Sequence, residues 1–221
     1  MPERNVIPSL ARVVRGLSLL FWAVPGMLLA STACALDFGW RQFGYGPPLI
    51  AGACLVYGIT QFRYFQPEEK IWASARHRAL LLALMLLALA PVPIWWSRAP
   101  EEAFFGHGML MLSFAGQFFL IALNDVLLRL AAMLPDQTLR SETFFFTRLN
   151  TRLILGILAA VLAWLGLPHW NQPPELLLRL QFFFEFTRPW LFVMALLLPV
   201  SFTMTLLWKT KEVILHSVFR Q

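Results

Sequence analysis

Long apolar stretches recur from one end of the chain to the other, separated by short clusters of charge and proline. Each approaches the ~20 residues a helix needs to cross a hydrocarbon layer. The pattern predicts six spans, roughly Val13–Leu36, Pro48–Phe65, Ala79–Trp96, Phe104–Leu123, Leu153–Leu167 and Pro189–Trp208. The fifth is short, and the second contains Tyr57, Thr60 and Gln61. No soluble domain fits between spans, so residues 1–221 read as one transmembrane helical domain.

Two connections are too apolar for plain loops. Asp136–Arg152 mixes Phe144, Phe145 and Phe146 with Arg140, Arg148 and Arg152, and Pro173–Trp190 places Phe182, Phe183 and Phe184 between Arg179 and Arg188. Apolar groups dipping between charges describe interfacial helices in the headgroup plane. The triple-Phe groups exceed one helical stripe, so some rings should meet lipid or a partner protein. The C-terminal stretch Trp208–Gln221 should continue the sixth helix, with Val213, Ile214, Leu215, Val218 and Phe219 forming an apolar side. Such a patch marks either an interaction site or a segment folding back on the bilayer.

Three helix starts share one device. Gln66–Lys70, Ala99–Ala103 and Pro173–Leu177 put proline near the first helical position with Glu just after it. Proline needs no donor there, and carboxylates meet the positive end of the helix dipole. Glu68, Glu69, Glu101, Glu102 and Glu175 are therefore read as start signals, not catalysts. Pro25 and Pro199 fall inside the first and last spans, where proline removes a backbone hydrogen bond and bends the helix.

Composition sharpens the class. The chain is 58% hydrophobic and 14% charged, against about 25% charged in soluble domains. The expected fold is all-α, a polytopic integral membrane protein of about six transmembrane helices with two interfacial amphipathic segments. A net charge of +6 would suit nucleic acid, but its distribution suits a membrane better. With six spans, fourteen of the eighteen Lys and Arg residues fall on the side of the termini and only Arg41, Arg98, Arg179 and Arg188 on the other. The positive-inside rule then makes both termini cytoplasmic. This topology suits a bacterial inner membrane, with no nucleic-acid partner. Arg4, Arg12 and Arg15 ahead of an apolar run ending in Ala33–Ala35 resemble a secretory signal. The run is longer than a signal's apolar core, and further spans follow, so it is read as a retained span.

Chemistry is sparse. Cys34 and Cys54 fall in spans, offset by about 6 Å in depth, and read as packing residues. His77, His107, His169 and His216 show no helix-face ligand spacing and no flanking acidic or Cys cluster, so no metal and no cofactor is expected. Nucleophile elbows, zincin motifs and phosphate loops are not seen. The polar candidates are Gln117, Asn124, Asp125 and Arg129. A carboxylate at mid-bilayer would cost roughly 2.5–3.5 kcal/mol and signal an ion or proton site. Asp125 lies roughly 31 Å along a helix from Phe104, which places it with Asn124 at the cytoplasmic boundary. Arg129 is then one turn on, within pairing reach. Gln117 is the deeper polar residue, of a type that glues helices together.

The expected function is a non-catalytic multi-pass membrane subunit that packs into and stabilises a larger assembly, with lipid and other membrane subunits as partners. A small transporter or channel component is the alternative, for which Gln117, Thr60, Gln61, Ser201 and Thr203 should converge on a polar cavity. A membrane-embedded enzyme comes third.

Overall fold

The computed structural model describes residues 6–36, 43–66, 68–134, 136–166 and 197–216. All the regular structure among them is helical. Helix α1 is Val6–Ala35, α2 Gly46–Thr60, α3 Lys70–Leu89, α4 Val92–Arg98, α5 Ala103–Met133 and α6 Gln137–Gly166. A further helix, α7, is described over 197–216. Four stretches are long and apolar enough to cross a membrane: Pro8–Ala35, Lys70–Arg98 (α3 with α4), Ala103–Met133 and Gln137–Ala163. The described residues thus form an all-helical assembly, four of whose stretches have the length and composition to span a membrane.

Local sequence accounts for the breaks. Helix α2 begins with proline in its first turn, ends after fifteen residues and tightens into a 3-10 turn, Gln61–Tyr64. The run expected at Ala79–Trp96 starts earlier, at Lys70, and is interrupted at Ala90–Pro91, where Pro91 and Pro93 remove consecutive-turn donors and force a restart as α4. The Pro-Glu starts are displaced by two or three residues: Glu69 and Glu102 occupy the cap positions of α3 and α5, with no side-chain capping bond.

The segment expected to lie flat at Asp136–Arg152 does not form a separate element. It is the first half of the 30-residue α6, continuous with the expected fifth span. Asp136 starts the helix by accepting the backbone N–H groups of Thr138 (2.9 Å) and Leu139 (3.1 Å) on Oδ1. No proline follows before Gly166, so the helix propagates. The second expected interfacial segment, with Phe182, Phe183 and Phe184, lies outside the described residues.

Packing centres on α5. Half of its apolar window is buried, against 22% for α6, which sits at the periphery of the described bundle. The most extensive helix contacts join α1 to α2 and α3 to α5, followed by α5 with α6 and α2 with α3. The α1–α2 contact is close because glycines face it. A Cβ on Gly16 would sit 2.8 Å from the Gly58 carbonyl oxygen, and one on Gly58 would sit 2.8 Å from Leu20 Cγ. Around this crossing Leu17, Leu20, Leu55, Ile59, Phe62 and Trp72 are almost wholly buried. Trp72 donates its indole N–H to the Phe65 carbonyl at 2.9 Å, tying the 3-10 turn to α3.

Candidate functional site

The polar side chains form three separate groups. The first surrounds Asp125 on α5. Its Oδ2 accepts a hydrogen bond from Arg78 Nη2 of α3 at 2.9 Å, and Arg129 Nε lies 3.6 Å from Oδ1, one turn along α5. The Asp125 side chain is 27% exposed and the arginines more so, which makes the group a partly exposed ion cluster joining α3 to α5. Sequence spacing pointed to Arg129 but missed Arg78, because a partner 47 residues away on another helix leaves no local signal. Asn124, beside it, is turned into the bundle. It is fully buried, and neither amide atom has a hydrogen-bonding partner among the described residues.

The second group follows the α6–α7 contact. Asn150 is fully buried and donates through Nδ2 to the Pro199 carbonyl (3.2 Å) and to Thr203 Oγ1 (3.1 Å). Thr203 donates in turn to the Pro199 carbonyl at 2.8 Å. Three polar groups thus converge around the Pro199 carbonyl in the first described turn of α7. One turn or two towards the α5–α6 connection, Thr143, Thr147 and Thr210 are buried, their hydroxyls without partners among the described residues, and Lys209 closes the group with a 2.6 Å bond to Glu142. The buried stripe of α6 (Leu139, Thr143, Thr147, Asn150, Ile154, Leu158) is polar in its middle and apolar at its ends. The i, i+3, i+4 spacing of these Thr and Asn residues was the available sequence signal.

The third group is Gln117, which is 5% exposed. It lines a cavity of about 620 Å³ between the C-terminal half of α1 and the N-terminal half of α5, completed by Leu55, Leu86, Trp96 and Val200. The lining is overwhelmingly apolar, with Ser31, Thr32, Ser113 and Gln117 as its polar members. Ser113 is turned back on its own helix, donating to the Met109 carbonyl at 2.9 Å. Thr60, Gln61, Ser201 and Thr203 do not join Gln117 in this lining. Thr60 donates to the Tyr57 carbonyl, and Thr203 belongs to the α6–α7 group.

The expected docking residues divide. Phe144 and Phe145 are exposed, with the Arg148 guanidinium 4.2 Å above the Phe144 ring. Phe146 is partly buried against Phe202 of α7, ring centres 6.0 Å apart. Ile214 is not available for docking: it is fully buried in the chain's own core, because α7 turns that side inward. Val218 and Phe219 lie outside the described residues. Among the described residues no three His, Cys, Asp or Glu side chains gather closely enough to hold a metal. His107 contacts the Ala103 carbonyl of its own helix at 2.6 Å, and His216 lies 3.9 Å from Glu212; His169 is outside the described residues.

No family model matches the chain, and neither the curated proteins nor the solved structures contain a match to it.

Proposed function

We propose that this chain is a non-catalytic, multi-pass membrane subunit that packs into a larger assembly. It would cross the membrane six times with both termini in the cytoplasm, and the charge partition suits a bacterial inner membrane. One observation carries the subunit reading: the composition of the side of α6 that is left exposed among the described residues. Gly156, Ala159, Ala160 and Ala163 are all exposed there, at i, i+3, i+4 and i+7, and a Cβ on Gly156 would meet nothing within 4 Å. Small residues on a membrane helix let another backbone approach closely, whereas lipid chains have no use for a flattened face. Upstream on the same helix, exposed Phe144, Phe145 and Arg148 would extend the contact to the membrane surface.

The test is affinity purification of the tagged protein from its native host in mild detergent or nanodiscs, with mass spectrometry of what accompanies it. A stoichiometric set of membrane partners that is retained by the wild type and lost from Gly156→Leu is expected. Recovery of the protein alone or as a homo-oligomer would overturn the proposal.

A further inference from the structure

The 3-10 turn Gln61–Tyr64 and helix α3 form a tight hairpin. Gln66 takes a left-handed backbone (φ 39°) where the chain reverses, and the Trp72 indole N–H holds the Phe65 carbonyl at 2.9 Å. Phe62 of the same turn packs on Trp72, ring centres 6.1 Å apart. This register brings Arg63 of the turn towards Arg76, one helical turn past Trp72, close enough for the two charges to repel. Arg12 of α1 adds a third cation, 4.2 Å above the centre of the Tyr64 ring.

Among the described residues no carboxylate pairs with Arg63 or Arg76. Asp125 is taken by Arg78 and Arg129, Glu142 by Lys209 and Glu212 by His216. A fully exposed arginine can be left to water, but Arg76 is partly buried. Its Nη1 is closed off without a hydrogen-bond partner, whereas Nε and Nη2 are neither closed off nor bonded. Those two nitrogens make up the guanidinium edge that can hold two oxygens of a phosphate side by side. A partly desolvated cation facing a like charge is unfavourable, and an anion at its open edge would offset both costs.

The level in the fold selects the anion. Arg76 lies just before Arg78, which pairs with Asp125 where the apolar run of α3 begins. Further along the same helices, Tyr57 of α2 and Leu81 and Leu84 of α3 are exposed apolar side chains. They offer a bed for acyl chains, which a free ion would not need. We infer that Arg63 and Arg76 bind the phosphate of one anionic phospholipid, whose chains lie along α2 and α3. Arg76 supplies the paired hydrogen bonds and Arg63 a second positive charge. The assignment does not depend on the subunit reading, because a solitary chain would hold the same lipid.

The test is native mass spectrometry of the full chain, delipidated in neutral detergent and titrated with dioleoylphosphatidylglycerol or dioleoylphosphatidylcholine. One saturating phosphatidylglycerol adduct is expected, favoured by at least about fivefold over phosphatidylcholine. Arg63→Gln and Arg76→Gln should each weaken it about fivefold. Arg152→Gln, which removes an exposed cation from α6, should leave it unchanged. Thermal unfolding of the same samples separates binding from folding. Without lipid both variants should melt no lower than the wild type, and phosphatidylglycerol should raise the wild-type midpoint more than theirs. Binding that does not saturate, equal affinity for the two lipids, or an equal loss in Arg152→Gln would overturn the assignment. Lipid-free midpoints well below the wild type in both variants would make the pair structural instead. Displacement of the lipid by millimolar inorganic phosphate would overturn the lipid as occupant.

Discussion

Substituting Gly16 by Ala tests whether the α1–α2 crossing depends on glycine. The new methyl carbon would lie 2.8 Å from the Gly58 carbonyl oxygen, 2.9 Å from Phe62 Cε1 and 3.1 Å from Gln61 Cβ. The first contact is with helical backbone in the last turn of α2 and the second with a fully buried ring, so neither can swing aside. Relief requires the helices to separate by about half an ångström along an extensive contact, with loosening around Leu17 and Ile59. Overpacking of this kind costs about 1–3 kcal/mol. Replacing glycine by alanine within a helix returns up to about 1 kcal/mol. The net expectation is a loss of about 1–2 kcal/mol, a five- to thirty-fold fall in the folded-to-unfolded ratio. Gly156→Ala supplies the control, because its methyl group meets nothing; it should be neutral or stabilising by up to about 1 kcal/mol. The measurement is reversible unfolding in mixed micelles by SDS titration, followed by far-ultraviolet circular dichroism. If Gly16→Ala proved as stable as the wild type while the control behaved as expected, the close crossing would be refuted.

Three further outcomes are expected. Asn124→Leu removes two buried, unpartnered amide atoms whose burial costs about 1–3 kcal/mol, so the same titration should show unchanged or increased stability. A loss beyond about 1 kcal/mol would mean the amide has a partner. Asp125→Asn should cost no more than about 1 kcal/mol, because its pairs with Arg78 and Arg129 are partly exposed and screened. A loss of several kcal/mol would instead place the cluster in hydrocarbon. Hydrogen bonds from the Thr138 hydroxyl and then from the Leu139 and Thr138 backbone hold the Asp136 carboxyl below its usual range. A carboxylate lowered by folding stabilises above its unfolded pKa and loses that contribution as pH falls through its folded value. The wild type should therefore lose more stability than Asp136→Asn as pH drops below about 5; identical pH profiles would show that the cap does not titrate.

Hydropathy alone made the helical, membrane-type architecture legible, since apolar runs near a bilayer's thickness have few other uses. Element boundaries were less legible where capping overrode composition. Asp136, Thr138 and Leu139 start a helix through three hydrogen bonds to one carboxylate oxygen, and the charges that follow look interfacial only while that start is overlooked. Pro91 and Pro93 carried a readable break, but the continuous hydrophobicity around them masked it. Of the polar residues, Arg129 was within reach of Asp125 by spacing. Arg78, the pairing of Asn150 with Thr203, and the inward side of Ile214 all depend on which helices become neighbours. One-dimensional periodicity identifies a face, not what covers it.

The Asn150 clamp has a consequence for how the chain is made. Both its acceptors, the Pro199 carbonyl and the Thr203 hydroxyl, belong to α7, which leaves the ribosome some fifty residues after Asn150. Until then the Asn150 amide has neither acceptor, and an unmade hydrogen bond in an apolar setting costs roughly 1–3 kcal/mol. Arrival of α7 supplies both acceptors at once, so the two helices can be fastened at Asn150 only after α7 has been made. A chain ending before Pro199 should therefore unfold more readily than the loss of the apolar contacts of α7 alone would imply.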